Sequence, residues 1–535
     1  MSLKKIVFSI SFVALILLSF GIKTVEFDNP YSGFHLVRQL DNLIAMEQYF
    51  LEGIEIKRRL PGGNKLVFEF PLYQALSAYL SSSLDEVLFY ARSVNLVFAF
   101  LSIILLFKIA SIWFDSKTAI FSTLFFTFSP LNLAYQRAVM MDISTVFFCL
   151  TATWVLLEYF KDKERIWLLP LFVIAGGLSV ITKALYFFPV GAIALANFVT
   201  QYRAPFSTNS VNYIKRNLGL VISFVLIVAV MIGWLWVVKV VNDPGTAQAL
   251  GPASLLTFMS DWSFLFIPKY YALLIFRFVL LILNPFTFLL FVIGMVLIWK
   301  RYLEKDCISL PFFIPLYFLF FGMVNFPHEY YSLIMVPYCS LVAGVGAVWL
   351  EKVLTSNNLI KVPEWSQGIL CVFSSIISVL IFFLNFLVGS PNIDQRAVEI
   401  EQEMRSVIEP RKISHIYINK PNFPLIDYII KNRSLYLLYL FNIKSENYVR
   451  LHGRPITKQE LFYSLGQFGS VELTQGGIPK MNIELLRQDK PKNLRYVMFY
   501  KYSEEQKFQI KQKIPGYQVY YESNDWLVYD MKMKN

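Results

Sequence analysis

The chain has 535 residues, of which 56% are hydrophobic and 16% are charged. A typical soluble domain is about 45–50% apolar and about one quarter charged, so this composition excludes an entirely soluble protein. The formal net charge of +12 does not indicate nucleic-acid binding, because the basic residues lie in short segments between apolar runs and form no stripe.

Eleven apolar runs predict an α-helical, polytopic membrane domain that extends to about residue 388. A run of about 18 or more residues with few charges is long enough to cross the bilayer core as a helix. The predicted spans are 6–22, 87–110, 119–133, 143–159, 166–181, 184–199, 218–240, 271–299, 309–326, 333–350 and 368–388. No small-residue cleavage site follows the first run, so we predict an uncleaved span there.

The positions of Lys and Arg predict the orientation of these spans. With the N-terminus in the cytoplasm, the inner loops contain most of the basic residues and the short outer loops contain few. The basic residues of the inner loops are Lys161, Lys163, Arg165, Arg203, Lys215, Arg216, Lys300, Arg301, Lys305 and Lys352. We therefore predict a multi-pass protein of the cell (inner) membrane whose first loop (23–86) and C-terminal region face outward.

Residues 389–535 have a mixed, polar composition that predicts a soluble α/β domain outside the membrane. Runs of β type at 413–418, 494–500, 517–521 and 526–529 alternate with helical stretches at 393–407 and 503–512. The predicted division is therefore a membrane domain over 1–388 and an extracytoplasmic domain over 389–535. We find no internal repeat, phosphate-binding glycine loop or catalytic-triad spacing in the sequence.

The first outer loop contains the earliest candidate site residues. Apolar positions in 36–51 follow helical spacing, which predicts an amphipathic helix at the membrane surface. Arg38 and Asp41 are three positions apart and therefore lie on one face of that helix. Taken alone, these two residues are better explained by an ordinary surface ion pair on a solvated helix than by a function. Glu69 follows later in the same loop.

Three other outer loops contain charged or aromatic residues. Asp142 opens a span, where it suits either a functional site or simply the dipole of the helix N-terminus. Lys183 lies between two apolar spans on the side that is poor in cations, so it requires a partner. The loop 327–331 contains His328, Glu329 and Tyr330, although tyrosines at an interface usually belong to the aromatic belt.

The outward side that these loops share predicts a common pocket at the membrane boundary. Its cations, which include Arg137, would hold an anionic head group, since Arg binds phosphate through its forked donors. A carboxylate in a partly dry site has a raised pKa and serves as a general base on a second substrate. Charges inside the predicted spans are few, namely Lys108, Lys239 and Arg277, near the ends of spans or snorkelling.

The order of the loop motifs resembles a known family. The motifs are Arg38-Gln39-x-Asp41, Glu69-Phe70-Pro71-Leu72-Tyr73-Gln74, Arg92, Ser129-Pro130-Leu131-Asn132 with Arg137 and Asp142, Thr182-Lys183, and His328-x-Tyr330-Tyr331 followed by Pro337. Over about residues 1–350 they resemble a bacterial branch of the GT-C membrane glycosyltransferases. That branch is related to the dolichyl-phosphate-mannose protein mannosyltransferases and the lipid A aminoarabinose transferases.

The resemblance implies a GT-C fold and an activity. A sugar would pass from a polyprenyl-phosphate-linked donor to an acceptor (a glycan, lipid or protein) at the outer face, with inversion. Asp41 would be the general base, and Arg137 and Lys183 would stabilise the departing phosphate. The remaining substrate-binding residues would be Arg38, Glu69, Asp142, His328 and Tyr330. Glu69, Asp142 and His328 would also be the ligands of a divalent ion (Mg, Mn or Zn), a cofactor that family members do not all use.

The sequence also departs from the family pattern. Leu36 and Val37 precede Arg38 where relatives often have Trp, and Asn42 follows Asp41 where the protein mannosyltransferases have a second carboxylate. The identities of the sugar and the acceptor therefore do not transfer from those relatives, and the oligomeric state is open. Two other functions remain open at this level: a transporter or flippase of lipid-linked glycans, and a glycan polymerase or ligase that uses a diphosphate-linked donor. Spans nearly free of charge and without a repeat disfavour the transporter.

Overall fold

The computed structural model describes residues 3–25, 27, 36–59, 65–67, 69–83, 86–202, 217–242, 263–301, 306–326, 328–356 and 363–384, together with 416–419, 496–500, 511, 517–522 and 526–534. The chain forms two compact units. The first comprises Met1–Phe34 and Val67–Pro391, and the second comprises His35–Leu66 and Asn392–Asn535.

The described elements are mostly helices. In chain order they are α1 (Leu3–Lys23), α2 (Leu36–Glu52), α3 (Leu72–Leu80), α4 (Val87–Trp113), α5 (Ser116–Thr127), α6 (Pro130–Tyr135), α7 (Asp142–Lys161), α8 (Leu168–Lys183), α9 (Phe188–Tyr202), α10 (Leu218–Val241), α11 (Pro268–Arg277), α12 (Pro285–Arg301), α13 (Ser309–Phe320), α14 (Gly322–Asn325), α15 (Val336–Ser356) and α16 (Pro363–Phe382). Short 3₁₀ segments at Ala184–Phe187 and Glu329–Met335 and a π-helical turn at Phe278–Ile282 join some of them.

Several of these helices are long and apolar enough to cross a membrane. Among the described residues there are five such segments, namely α4, α7, Leu168–Thr200, α10 and Glu329–Ser356, or six if one bent pair is counted as a single span. The predicted helical membrane architecture is therefore confirmed in general. The count of eleven spans and their orientation stay predictions.

The predicted span 119–133 is two helices, because the chain breaks at Ser129-Pro130. A residue before proline avoids the α region, and Ser129 accordingly adopts φ −53° and ψ 129°. Its hydroxyl accepts a hydrogen bond from the Asn132 backbone N–H, so it caps α6. The break directs the chain into the turn 136–141, which leads to the start of α7.

The predicted span 271–299 is likewise broken. Pro268–Ile282 and Pro285–Lys300 meet at an angle of 107°. Pro285 has no N–H with which to continue the first helix. Asn284 caps the second one by accepting from the Thr287 backbone N–H at 2.8 Å, and its amide donates to the carbonyl and hydroxyl of Ser374 on α16.

Helix α15 lies at the centre of the first unit, where glycines allow neighbouring backbones to approach closely. A Cβ added at Gly346 would collide with the carbonyl oxygen of Leu290 on α12, and one at Gly294 would collide with that of Val342. On the opposite side, Gly344 leaves room for Ser122 of α5. Small residues of this kind drive helix packing in membranes, where no hydrophobic force acts between helices.

The second unit contains α2, a two-stranded hairpin and a four-stranded sheet. In the hairpin, β1 (Arg58–Arg59) pairs antiparallel with β2 (Lys65–Leu66). The sheet has the order β3-β4-β6-β5, in which β3 and β4 are parallel and the other pairs are antiparallel. Its strands are β3 (Ile416–Asn419), β4 (Tyr496–Tyr500), β5 (Tyr517–Glu522) and β6 (Trp526–Lys534).

The four strands of this sheet coincide with the four predicted β-type runs, and α2 coincides with the predicted surface helix. The predicted helices 393–407 and 503–512 lie outside the described residues, apart from residue 511. The soluble α/β domain and its boundary at residue 389 therefore stay predictions.

The close packing of α12 and α15 leads to a stability prediction. We expect Gly346→Ala to lower the free energy of unfolding by about 1–3 kcal/mol, because the added methyl group pushes two backbones apart. Thermal unfolding of the purified protein in detergent measures the effect.

Gly233→Ala on α10 is the matched control, because no atom lies within 4 Å of the added Cβ. Alanine is the better helix former, so this variant should unfold at the same temperature or a higher one. Equal destabilisation by both substitutions would contradict the packing explanation.

Candidate functional site

The carboxylate of Asp142 is the centre of a buried polar site in the first unit. It lies in the first turn of α7, where the free N–H groups of a helix favour negative charge, and it is 1% exposed. Its Oδ1 accepts hydrogen bonds from Lys183 Nζ and from the Tyr186 hydroxyl, each 2.6 Å long. Its Oδ2 is buried and has no hydrogen-bond partner among the described residues. One oxygen is thus held by the protein and the other can accept from a ligand.

Lys183 reaches this carboxylate because α8 ends there. Its backbone is extended, with φ −150° and ψ 97°, before the chain continues as a 3₁₀ turn. The ammonium group lies 4.6 Å from the ring centre of Tyr330, 4.9 Å from that of Tyr331 and 5.6 Å from that of Tyr186. Aromatic faces attract a cation at these distances. Asp142 and three tyrosine rings therefore surround Lys183, whose requirement for a partner was evident from the sequence.

The segment 328–331 forms one side of the site and is held by tyrosines of two other elements. The hydroxyl of Tyr186 shares its single proton between Asp142 and the Tyr330 carbonyl, and the hydroxyl of Tyr317 on α13 donates to the Tyr331 carbonyl; both carbonyl contacts are 2.8 Å long. The half-buried His328 stacks on Tyr330 with ring centres 5.3 Å apart. His328 and Tyr330 therefore belong to the same cluster as Asp142 and Lys183.

A second acidic group lies beside the first. The Tyr135 hydroxyl donates to Glu329 Oε1 at 2.7 Å. Burial raises the pKa of Tyr135 well above its usual value, and the negative charge of Glu329 raises it further, so the phenol remains a proton donor.

Arg277 is 6% exposed and donates to the carbonyls of Asn325 and Phe326. Of the two alternatives for Arg277, the structure favours a position near the end of a span, where backbone carbonyls bind it inside the protein.

Asn95 of α4 fixes the turn that precedes Asp142. Its amide donates to the carbonyls of Ala138 at 2.6 Å and Met140 at 2.8 Å. The Tyr73 hydroxyl, 3.1 Å from the same amide, donates to the Ala91 carbonyl. Arg137 lies in this turn and is 5% exposed. The backbone of the turn that contains Arg137 is thus positioned by Asn95 of α4, whose amide is contacted by Tyr73 of α3.

The backbone beside Glu69 is bound to the end of α8. The N–H of Phe70 donates to the Ile181 carbonyl at 3.1 Å, two residues before Lys183. The side chain of Asn242 pairs with both the N–H and the carbonyl of Val67, at 2.8 and 2.7 Å. These bonds hold the segment that carries Glu69 next to the end of α8.

Arg38 and Asp41 lie on α2, in the second unit. The Arg38 carbonyl accepts a hydrogen bond from the Asn42 side chain at 3.0 Å, within the same helix. The roles of Arg38 as a substrate ligand and of Asp41 as the base stay predictions.

An apolar cavity is lined in part by the residues that directly follow Lys183. Its volume is about 760 Å³, and its walls come from the segment that follows Lys183 and from α9, α10 and α13. Ala184 and Leu185 line it near the polar site, and Thr200 and Ile308 line it at distant ends of α9 and of the segment before α13. Almost every lining residue is apolar. A cavity of this shape and composition suits a hydrocarbon chain whose polar end lies near Lys183.

The predicted metal ligands Glu69, Asp142 and His328 stay a prediction, because the described part of the chain does not gather them into one metal-binding group. No group of three or more His, Cys, Asp or Glu side chains is found together there. The Asp142 carboxylate is paired with the ammonium of Lys183, which would repel a second cation at the same oxygen. The described residues therefore provide no arrangement for the predicted Mg, Mn or Zn ion.

Three residues of the cluster were not identified from the sequence. Tyr135, Tyr186 and Tyr317 lie in or beside apolar runs, where tyrosine is common for reasons of membrane insertion alone. Only their hydroxyl contacts distinguish them from the many other tyrosines of the chain.

A family model matches part of the chain. The sequence model of the family described as dolichyl-phosphate-mannose-protein mannosyltransferase matches residues 70–236. This range contains Asp142, Lys183 and Tyr186. No curated protein sequence matches the chain.

Solved structures share the fold over nearly the whole chain. ArnT from Cupriavidus metallidurans bound to undecaprenyl phosphate is 12% identical, with a TM-score of 0.58 and 97% of each chain covered. The Archaeoglobus fulgidus oligosaccharyltransferase in complex with zinc and sulfate is 10% identical, with a TM-score of 0.53, covering 97% of this chain and 72% of that one. The archaeal oligosaccharyltransferase AglB from Archaeoglobus fulgidus, in complex with an inhibitory peptide and a dolichol-phosphate, is 11% identical, with a TM-score of 0.50, covering 97% and 74%. Together with the family match, this fold confirms the resemblance to the GT-C membrane glycosyltransferases.

The buried ion pair leads to a second stability prediction. We expect Lys183→Met to lower the free energy of unfolding by about 3–5 kcal/mol, because it leaves the Asp142 carboxylate buried without its cation. The double variant Asp142→Asn/Lys183→Met has neither charge and should recover most of this loss. Thermal unfolding of the wild type and the two variants in detergent measures the loss and its recovery.

Arg165→Met is the control, since Arg165 is 47% exposed and pairs with Glu158 and Asp162 on the surface. A surface pair contributes about 0–1 kcal/mol, so little change is expected. If the double variant were as unstable as Lys183→Met, the charge pair would not be what joins α7 to α8.

Proposed function

We propose that the protein transfers a sugar from a polyprenyl-phosphate-linked donor to an acceptor hydroxyl at the outer face of the membrane, with inversion. The observation that carries the proposal is an apolar cavity whose lining includes Ala184 and Leu185, the residues that directly follow the buried Lys183. A polyprenyl phosphate has the same two parts, an anionic head group and an apolar chain. The undecaprenyl phosphate and dolichol-phosphate bound to the two similar structures support this class of ligand.

The cavity would orient the donor more than it would raise its affinity. A polyprenyl chain reaches the protein from the bilayer, whose hydrocarbon is as apolar as the cavity walls, so little hydrophobic free energy is gained. The contribution of the cavity is therefore its shape and its direction, which orient the bound chain. A chain that lies between α9, α10 and α13 brings its phosphate to Lys183.

Lys183 would bind the phosphate without leaving Asp142. An ammonium group has three N–H donors, and the Oδ1 of Asp142 accepts one of them. The other two remain for phosphate oxygens. Arg137, in the turn before α7, is the second cation. Both would stabilise the negative charge that develops on the leaving phosphate, in a site from which water is largely excluded.

The transfer itself needs a base and an electrophile. Asp41 would remove the proton of the acceptor hydroxyl as its oxygen forms a bond to the anomeric carbon. The bond between that carbon and the phosphate oxygen breaks on the opposite side, which inverts the configuration. The electron pair of that bond stays on the polyprenyl phosphate. The free Oδ2 of Asp142 would accept a hydrogen bond from a hydroxyl of the sugar or acceptor.

The direct test is incubation of the purified protein in detergent with a panel of polyprenyl-phosphate sugars, with release of polyprenyl phosphate as the readout. Release from at least one donor is the expected result. Release of polyprenyl diphosphate from a diphosphate-linked donor would identify a polymerase or ligase instead. Movement of a lipid-linked glycan across vesicles without any release would identify a flippase.

Asp41→Asn should abolish transfer and leave folding intact, because an amide cannot accept the proton of the acceptor. Turnover and unfolding temperature are measured on the same preparation. Asp162→Asn, an exposed residue in the loop that follows α7, is the control and should retain full activity. Turnover near the wild-type value in Asp41→Asn would remove Asp41 from the mechanism.

Lys183→Ala should lower kcat/KM for the donor about 100-fold or more and leave the KM of the acceptor nearly unchanged, since one charged contact to the transition state is lost. Steady-state kinetics with each substrate varied in turn separates the two effects. Lys352→Ala, an exposed lysine near the end of α15, is the control. Donor parameters equal to those of the wild type would contradict the phosphate-binding role.

A further inference from the structure

Two tyrosines connect the apolar cavity to the polar site. Tyr186 and Tyr317 donate hydrogen bonds to the successive carbonyls of Tyr330 and Tyr331, each 2.8 Å long. The rings of Tyr330 and Tyr331 lie within 5 Å of the Lys183 ammonium, at 4.6 and 4.9 Å. The two hydroxyl groups therefore determine where the residues that surround Lys183 are held.

Both tyrosines sit on the reverse side of a cavity wall. Leu185 and Phe187 flank Tyr186 in sequence and line the cavity, as Leu316 does beside Tyr317. The Tyr317 ring itself is fully buried and packs against the cavity-lining Phe188, with ring centres 6.0 Å apart. Each wall is therefore linked to segment 328–331 by one tyrosine hydroxyl.

The two hydroxyl groups differ in what else they bind. Tyr186 also donates to Asp142, so its removal would disturb the ion pair directly. The Tyr317 hydroxyl interacts with the side chain of Asn325. The Asn325 side chain in turn accepts a hydrogen bond from Ser332, the residue that follows segment 328–331. The hydroxyl of Tyr317 thus bonds to the Tyr331 carbonyl and donates no hydrogen bond to Asp142 among the described residues.

We propose that Tyr317 is a positioning residue that couples occupation of the apolar cavity by a lipid chain to the placement of segment 328–331 over Lys183. The proposal rests on the proposed function, because it takes the chain of a polyprenyl phosphate as the occupant. A chain long enough to fill the cavity supports the α13 wall, and the Tyr317 hydroxyl holds the Tyr331 carbonyl in place. A short chain leaves the wall unsupported. The coupling makes the polar site respond to the length of the lipid and not only to its phosphate.

The test compares undecaprenyl phosphate with geranyl phosphate, which have the same head group and different chains. Amide hydrogen exchange of residues 328–335 is measured by mass spectrometry on the full-length protein in detergent, at equal fractional saturation with each lipid. In the wild type we expect undecaprenyl phosphate to slow exchange about 3- to 10-fold more than geranyl phosphate, the factor that corresponds to one hydrogen bond. In Tyr317→Phe the two lipids should slow exchange equally, with an unchanged dissociation constant for geranyl phosphate.

Tyr338→Phe is the matched control. Tyr338 is also fully buried, and its hydroxyl bonds to Thr153 at 2.9 Å within the membrane helices, away from segment 328–331. This variant should keep the difference between the two lipids. Leu316→Ala is a second variant, which removes a cavity-wall contact on α13 without altering the Tyr317 hydroxyl. It should reduce the difference as Tyr317→Phe does.

The outcomes separate this inference from the proposed function. If undecaprenyl phosphate binds the wild type but protects segment 328–335 no more than geranyl phosphate, the coupling is refuted and the donor site stands. The coupling is equally refuted if Tyr317→Phe keeps the full difference between the two lipids. If undecaprenyl phosphate does not bind at all, both the donor site and the coupling are refuted.

Discussion

The ion pair between Asp142 and Lys183 is the interaction on which the polar site depends. Neither charge is stable alone in this environment, since an unpaired ion buried among apolar helices would lose several kcal/mol of hydration. The pair therefore fixes the start of α7 against the end of α8. Once these two ends are joined, Tyr186 follows in the next turn of chain, and its hydroxyl bonds to both Asp142 and segment 328–331.

Breaks in the membrane helices supply the geometry that this pair requires. The helical path ends at Ser129, at Lys183 and at Asn284. Backbone of this kind is tolerated at membrane depth only where protein or water satisfies its polar groups. Here side chains do so: Asn284 caps α12, and Arg277 binds the carbonyls that follow α14. At one of these breaks, the end of α8, the chain leaves its helical path and Lys183 bonds to Asp142.

The apolar cavity and the polar site are chemically different but adjacent, and this juxtaposition agrees with a substrate that has two such ends. A soluble sugar nucleotide has no apolar chain that would fill a cavity lined almost wholly by hydrocarbon. A lipid with an uncharged head group would form no ion pair with a buried lysine. The proposed donor class satisfies both parts, and the coupling through Tyr317 gives a physical route by which one part influences the other.

The sequence by itself determined the membrane helices that carry the site. The ends of α4, α7 and α10 lie close to their predicted positions, because uninterrupted apolar runs have no other stable conformation in a bilayer. The motifs also indicated a resemblance to a family, and they placed Asp142, Lys183, His328 and Tyr330 among the predicted site residues. The chain order of those residues did not reveal which of them touch.

Only the tertiary structure decided the partners. Helix packing brings together residues that are far apart in sequence. Lys183 binds Asp142, 41 positions away, and Tyr135 binds Glu329, 194 positions away. Hydropathy does not encode packing, because lipid-facing and protein-facing surfaces of a membrane helix are equally apolar. For the same reason the sequence could not distinguish the bonded hydroxyl groups of Tyr186 and Tyr317 from those of an interfacial belt. The hydroxyl groups of both tyrosines bond to residues distant in sequence or in another element, and these contacts exist only in the folded chain.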